Sequence, residues 1–95
     1  METKRSVVIE LTVNNHPGVM AQITGLFSRR AFNLEGIFCM PLEHDRTRSG
    51  MLLLVDADER LDQTVKQLRK LYDVLAITVR EGCGRAVFDR LRVQW

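Results

Sequence analysis

The chain has 95 residues, 45% hydrophobic and 27% charged, with a formal net charge of +2. That length fits one domain burying roughly 60–65% of its unfolded surface, and the composition excludes wholesale disorder. Lys and Arg are interleaved with acids rather than gathered on one stripe, which argues against a dedicated nucleic-acid binder. The one local arginine bias is C-terminal (Arg80, Arg85, Arg90, Arg92), a mild charge useful for docking a partner.

From Ser6 to Val13 the pattern alternates, with Val7, Ile9, Leu11 and Val13 on one side, so it predicts a strand with one fully apolar face. Asn14 to Gly18 is a breaker cluster. The residue before a proline avoids helical backbone, which places His16 in extended conformation and Pro17 at the first helical position. Val19, Ile23, Leu26 and Phe27 form one helical stripe within Gly18 to Arg30, and Arg29 and Arg30 suit the negative end of the helix dipole. Phe32 to Leu42 reads as a second strand with Phe32, Leu34, Phe38, Met40 and Leu42 on one face. Glu43 to Gly50 is a polar connection to a third strand, Met51 to Val55. Asp56 and Glu59 have the spacing of a capping box ahead of a second helix whose stripe is Leu61, Val65, Leu68 and Leu71. Val74 to Val79 reads as a fourth strand, ended by Gly82-Cys83-Gly84.

The order strand, helix, strand, strand, helix, strand with right-handed crossovers gives an α+β, ferredoxin-like βαββαβ fold. Four antiparallel strands carry both helices on one face. Residues 1–80 are the expected domain and 81–95 a tail. Val87, Phe88, Leu91, Val93 and Trp95 order that tail against something, whether it caps the domain, extends the sheet or docks on a partner. The second and third strands are apolar on both sides, so the sheet face away from the helices needs a cover; self-association or docking onto a larger protein would supply one.

Catalytic chemistry is poorly represented, and no catalytic or metal-ligating residues are assigned. His16 and His44 fall in different loops, and His44-Asp45 reads as a solvated turn. Cys39 reads as a small buried hydrophobe; Cys83 has nothing near it in sequence to lower its pKa. The two cysteines lie far apart and outside CxxC spacing, so neither a disulfide framework nor a zinc site is implied. Gly82-Cys83-Gly84 lacks a third glycine and is no dinucleotide fingerprint. The N-terminus does not resemble a secretory signal, the run Met51 to Val55 is too short to span a membrane, and a cytoplasmic location is expected.

Asn14-Asn15-His16-Pro17-Gly18 admits two readings. It can be plain helix-start punctuation, since Asn caps helices and Pro and Gly form turns. Alternatively His16 is the cap, the Asn15 amide is left for a ligand, and the amides at Gly18 and Val19 hold a carboxylate at the positive helix end. Asn33, after the helix, is either a left-handed helix stop or a second ligand group.

The segments Glu10 to Met20 and Gly25 to Ile37, with Gly25-Leu26-Phe27-Ser28-Arg29-Arg30-Ala31-Phe32-Asn33-Leu34-Glu35-Gly36-Ile37 the longer run, resemble the ACT domain of acetohydroxyacid (acetolactate) synthase small subunits. Gln67 to Val74 resembles the end of that family's second helix and its last strand. The likeness covers about Val8 to Val79, and the His-Pro form of the turn resembles the short isozyme type. It implies a regulatory subunit without catalysis of its own. Such a subunit activates the acetohydroxyacid synthase catalytic subunit and confers feedback inhibition by valine in branched-chain amino-acid biosynthesis. No cofactor is implied on this chain; thiamin diphosphate, magnesium and FAD are expected on the catalytic partner. The resemblance further implies a homodimer of side-by-side ACT domains with ligand sites at the interface, and neither nucleic acid nor membrane as partner. The ligand-site residues carried over are Asn15, His16, Pro17, Gly18, Val19 and Met20, together with Asn33, Leu34 and Ile37, Asn33 coming from the other protomer. Two departures stand out: Ala31 occupies a position where many relatives carry Gly, and the C-terminal domain of the longer small subunits is replaced by Arg80 to Trp95. The alternatives are an ACT amino-acid sensor, stand-alone or serving another enzyme, and an RNA-binding module of the same topology. For the latter the sequence supplies only Phe38 as a stacking aromatic and lacks the expected motif.

Overall fold

The computed structural model describes residues 5–81 and 85–91. Its elements are β1 (Arg5–Asn14), α1 (Val19–Arg29), β2 (Leu34–Pro41), β3 (Arg48–Ala57), α2 (Leu61–Arg69), β4 (Val74–Glu81) and α3 (Arg85–Leu91). The strands form one antiparallel sheet in the order β2-β3-β1-β4, the ferredoxin-like arrangement expected from the element order.

The inward side chains of β1, Val7, Ile9, Leu11 and Val13, meet Met51, Leu53 and Val55 of β3 on the same face. α1 sets Val19, Ile23, Leu26 and Phe27 onto this layer, and α2 adds Leu61 and Leu68. Thr64 is also fully buried on α2, where it was not counted in the apolar stripe. Its hydroxyl donates to the Arg60 carbonyl at 3.2 Å, so burial leaves no polar group unsatisfied.

β2 departs from the expected side-chain pattern. Leu34 faces Val55, but Gly36 faces Leu54, so Glu35 is an extra residue in a β-bulge. The bulge reverses the alternation. Leu34 stays on the helix side and packs against the core, whereas Phe38 and Met40 are turned to the opposite face. Phe32 precedes the strand and belongs to the helix-side core. Phe32, Leu34, Phe38 and Met40 therefore do not share a face.

The far face of the sheet has its own cover. Val8 and Leu54 point away from α1 and α2 yet are only 1% and 3% exposed. α3 lies over them, its Phe88 ring so close to Gly36 that a Cβ there would come within 2.8 Å of a ring carbon. Residues 85–91 of the tail thus cap the domain as a helix. Cys83 and residues 92–95 lie outside the described residues, as do the side chains of Val87 and Leu91. Further along the same face an open cleft of about 370 Å³ is floored by Phe38, Met40, Leu42 and Leu52. No helix among the described residues is long and apolar enough to cross a membrane.

Candidate functional site

The turn between β1 and α1 is built differently from the expected cap. Pro17 and Gly18 form a turn before the helix, which begins at Val19. Gly18, not His16, is the N-cap; its φ of 89° is left-handed backbone that glycine adopts without a Cβ penalty. No side chain caps the first turn of α1. The Val19 amide, expected to meet a carboxylate, instead donates to the His16 carbonyl at 3.4 Å, and with no side-chain cap the Gly18 amide and the rest of the first turn are left to solvent or to an anion.

Two contacts hold the turn from the side. The Asn15 amide N–H donates to the Thr47 carbonyl at 2.8 Å, and its side chain donates to the Arg46 carbonyl at 2.9 Å. The Asn15 side-chain nitrogen is thus engaged by the β2–β3 connection rather than left free. That connection is itself a turn: Asp45 accepts from the Thr47 amide at 3.1 Å and from its hydroxyl, which lowers its pKa. This explains the His44-Asp45 pair as turn chemistry.

His16 reaches the other way, to the α2–β4 connection. Its Nε2 lies 2.7 Å from Asp73 Oδ2 and its Nδ1 2.7 Å from the Pro17 carbonyl oxygen. Both partners accept, so the ring satisfies both only as a doubly protonated imidazolium. The Pro17 carbonyl, and then the Asp73 carboxylate, raise the His16 pKa accordingly. Asp73 is buried; Asn14 Nδ2 donates to its other oxygen at 3.1 Å, and this bond followed by His16 lowers its pKa.

The other candidate residues follow α1. The helix ends in a Schellman motif: the Phe32 amide donates to Phe27 O at 3.0 Å and the Ala31 amide to Ser28 O at 3.1 Å. Ala31, with φ 58°, is the left-handed residue, so the helix stop falls two residues before Asn33, and of the two readings of Asn33 the helix stop does not apply. The Phe27 and Phe32 rings meet edge to face with centroids 6.1 Å apart, the apolar contact that accompanies this motif. Arg60 braces the junction. Its guanidinium lies 4.5 Å over the Phe32 ring, donates to the Arg30 carbonyl at 2.8 Å and grips buried Asp58 through Nε and Nη2. Asp58, rather than Asp56, also serves the start of α2, accepting from the Arg60 amide at 2.9 Å; Asp56 sits in β3 opposite Ser6.

Asn15, His16, Pro17, Gly18, Met20, Asn33 and Ile37 are exposed, Leu34 is half-buried and Val19 lies in the core. They fall into two groups. Asn14 faces Arg48 on β3, while Leu34 faces Val55. Those two β3 residues are seven apart, or roughly 23 Å at about 3.3 Å per residue. A single chain therefore holds the Asn15 turn and Asn33 at opposite ends of the sheet. Between them β2 is an edge strand whose Ile37, 41% exposed, faces the helix side.

Sequence reasoning missed Asp73, Asp58 and Arg60. The two aspartates are the buried acids among the described residues, and each ties down one of the two groups. Their signal was an acidic residue in the turn on either side of α2, which reads as ordinary capping until tertiary contacts are known. Among the described residues no cluster of His, Cys, Asp and Glu is suited to a metal ion. The far face of the central strands β1 and β3 carries Val8, Glu10, Thr12, Leu52 and Leu54, with no aromatic, and Glu10 is paired with Arg80; base stacking has no platform there.

Residues 9–76 match the family described as the AHAS small subunit-like ACT domain. The chain is 46% identical over 91 residues to the acetolactate synthase isozyme 1 small subunit of Escherichia coli K12, covering 96% of this chain and 93% of that protein. It is 39% identical over 75 residues to the acetolactate synthase small subunit of Mycobacterium leprae, covering 78% of this chain and 44% of the relative. The crystal structure of an acetolactate synthase small subunit from Thermotoga maritima superposes with a TM-score of 0.70 at 33% identity, over 79% of this chain and 47% of that one. The chain thus spans nearly the whole of one relative and less than half of the other two.

Proposed function

Because the chain belongs to the family of AHAS small subunit-like ACT domains, we propose that it binds valine at a site shared between two copies and so confers feedback inhibition on the acetohydroxyacid synthase catalytic subunit it activates. The chain is of the small, regulatory type of acetolactate synthase subunit, not the catalytic type. The cytoplasm is the proposed location, and thiamin diphosphate, magnesium and FAD are proposed for the catalytic partner alone.

The observation that carries the finer reading is the separation of the two residue groups along an unpaired edge. If two copies pair β2 to β2 antiparallel about a two-fold axis, the ends of the strands exchange. Asn33 of the partner subunit then lies at the Pro41 end of β2. β3 links that end to the Asn15 turn, since Ser49 faces both Pro41 and Val13. Each half-site is incomplete alone and complete in the pair. The valine carboxylate would meet the uncapped amides around Gly18, Asn15 and Asn33 would engage its polar ends, and Val19, Met20, Leu34 and Ile37 would line the branched side chain. Binding would stabilise the paired state, and this differential affinity is what biases the catalytic subunit.

Calorimetry of valine onto the full chain tests the site. Binding in the millimolar range or tighter is expected, and Asn15→Ala should remove most of it; an Asn15→Ala variant that binds unchanged overturns the residue assignment. Copurification of a large thiamin-dependent enzyme with the tagged chain tests the partner, and its absence favours the sensor alternative.

A further inference from the structure

We propose that His16 is a positioning residue of the valine site: held by buried Asp73, it clamps the Pro17 carbonyl and thereby aims the Gly18 amide at the ligand carboxylate. This deepens the valine reading and rests on it. The argument begins with the peptide plane. Described peptide bonds are trans, so the Pro17 C=O and the Gly18 N–H point in opposite directions from one rigid unit. Fixing the carbonyl fixes the amide. At Gly18 this is needed, because glycine in left-handed backbone has wide freedom and no side chain caps the helix to restrain it.

His16 supplies the restraint only because it bridges. One ring nitrogen is 2.7 Å from the Pro17 carbonyl and the other 2.7 Å from Asp73. Asp73 is anchored in turn: its backbone carbonyl accepts from the Asn14 amide at 2.9 Å and its carboxylate from the Asn14 side chain. The turn is thus tied to the α2–β4 connection through a buried acid, not through a solvent contact. A neutral imidazole carries one N–H and serves one acceptor; its other nitrogen then sets a lone pair against an oxygen. Loss of the proton therefore frees either Asp73 or the Pro17–Gly18 unit, and removes a positive charge beside the carboxylate site.

The charged groups near the ring come from two connections. The α2–β4 connection contributes Asp73. The β2–β3 connection brings His44, Asp45, Arg46 and Arg48 to the same end of the sheet, where Asp45 pairs with Arg48 at 3.6 Å and stays ionised at neutral pH. On β1 and the turn, Asn14 and Asn15 are neutral. Of these groups His16 is the one that bridges Asp73 and the Pro17 carbonyl, and those contacts raise its pKa above the ordinary 6.5.

The test is valine calorimetry on the full chain between pH 6 and 8.5, with nitrogen NMR of the His16 ring. The wild type should bind roughly tenfold more weakly at pH 8.5 than at pH 6, as for one lost charged hydrogen bond. His16→Gln should bind weakly with a flat profile; Asp73→Asn should shift the fall to lower pH. The NMR should show both ring nitrogens protonated at pH 6. A pH-independent wild-type affinity, a His16→Gln variant with the wild-type profile, or a singly protonated ring at pH 6 overturns the assignment. Wild type that binds no valine at any pH instead overturns the underlying reading, while the NMR result still reports whether the clamp exists.

Discussion

Ala31→Gly should stabilise the protein. Ala31 is the left-handed residue of the Schellman motif that ends α1, with φ 58° and its amide bonded to Ser28 O. A Cβ in that conformation meets the following carbonyl and costs about 1–2 kcal/mol. Glycine removes this cost but brings back about 0.5–1 kcal/mol of unfolded-state entropy. Ala31 is exposed, so its methyl contributes little packing to offset the gain. The net expectation is about 0.5–1 kcal/mol of stabilisation, or roughly 3–6 °C in Tm for a domain of this size. Ala31→Val should move the other way by a similar or larger amount, because a β-branched side chain tolerates positive φ worst. Thermal unfolding by circular dichroism, with a denaturant titration at fixed temperature, reads both. A destabilised Ala31→Gly variant, or an unaffected Ala31→Val, would refute the left-handed assignment and with it the position of the helix stop ahead of Asn33.

Gly36→Ala should release α3, because its Cβ would lie 2.8 and 2.9 Å from two Phe88 ring carbons. Overpacking costs about 1–3 kcal/mol, but undocking the helix relieves it, so hydrogen exchange should rise over residues 85–91 and at Val8 and Leu54 while the α1 side stays protected; unchanged exchange in α3 contradicts this. Phe27→Ala opens the fully buried centre of the core and should cost about 3–5 kcal/mol in a denaturant titration, a large share of the stability of a small domain. Stability should be greatest between pH 3.8 and 6.5. The lowered Asp73 pKa gives stability present above 3.8 and lost as pH falls through the folded value, whereas the raised His16 pKa gives stability present below 6.5 and lost as pH climbs through its folded value. Urea midpoints across pH should show both limbs in the wild type, whereas Asp73→Asn should lose the acid limb and keep a smaller His16 limb at lower pH, because the Pro17 carbonyl still raises that pKa.

Much of the fold was legible because local periodicity and global topology agree. The alternation of Val7, Ile9, Leu11 and Val13 and the stripe Val19, Ile23, Leu26, Phe27 each mark a single buried face, and all eight residues are in the core. The segments around Gly18 and Asn33 were also legible as special, since Gly, Pro and Asn break regular patterns. Their roles were less so. Sequence placed the helix start at Pro17 with His16 as cap; the structure gives the cap to Gly18, because His16 is drawn off by Asp73, a residue 57 positions away in sequence. Residue type leaves Asn33 open as a helix stop or a ligand group; the Phe27–Phe32 contact places the stop at Ala31.

The sequence by itself determined the order of the elements, the inner face of the sheet and the family, since these follow from short-range patterns and from motif residues close together in the chain. The tertiary structure alone decided three things. The bulge at Glu35 turned Phe38 and Met40 to the far face, α3 covered Val8 and Leu54 there, and strand pairing set the Asn15 turn and Asn33 roughly 23 Å apart. Each depends on which residues face one another across strands, and a shift of one residue in pairing reverses every side chain while leaving the local pattern unchanged.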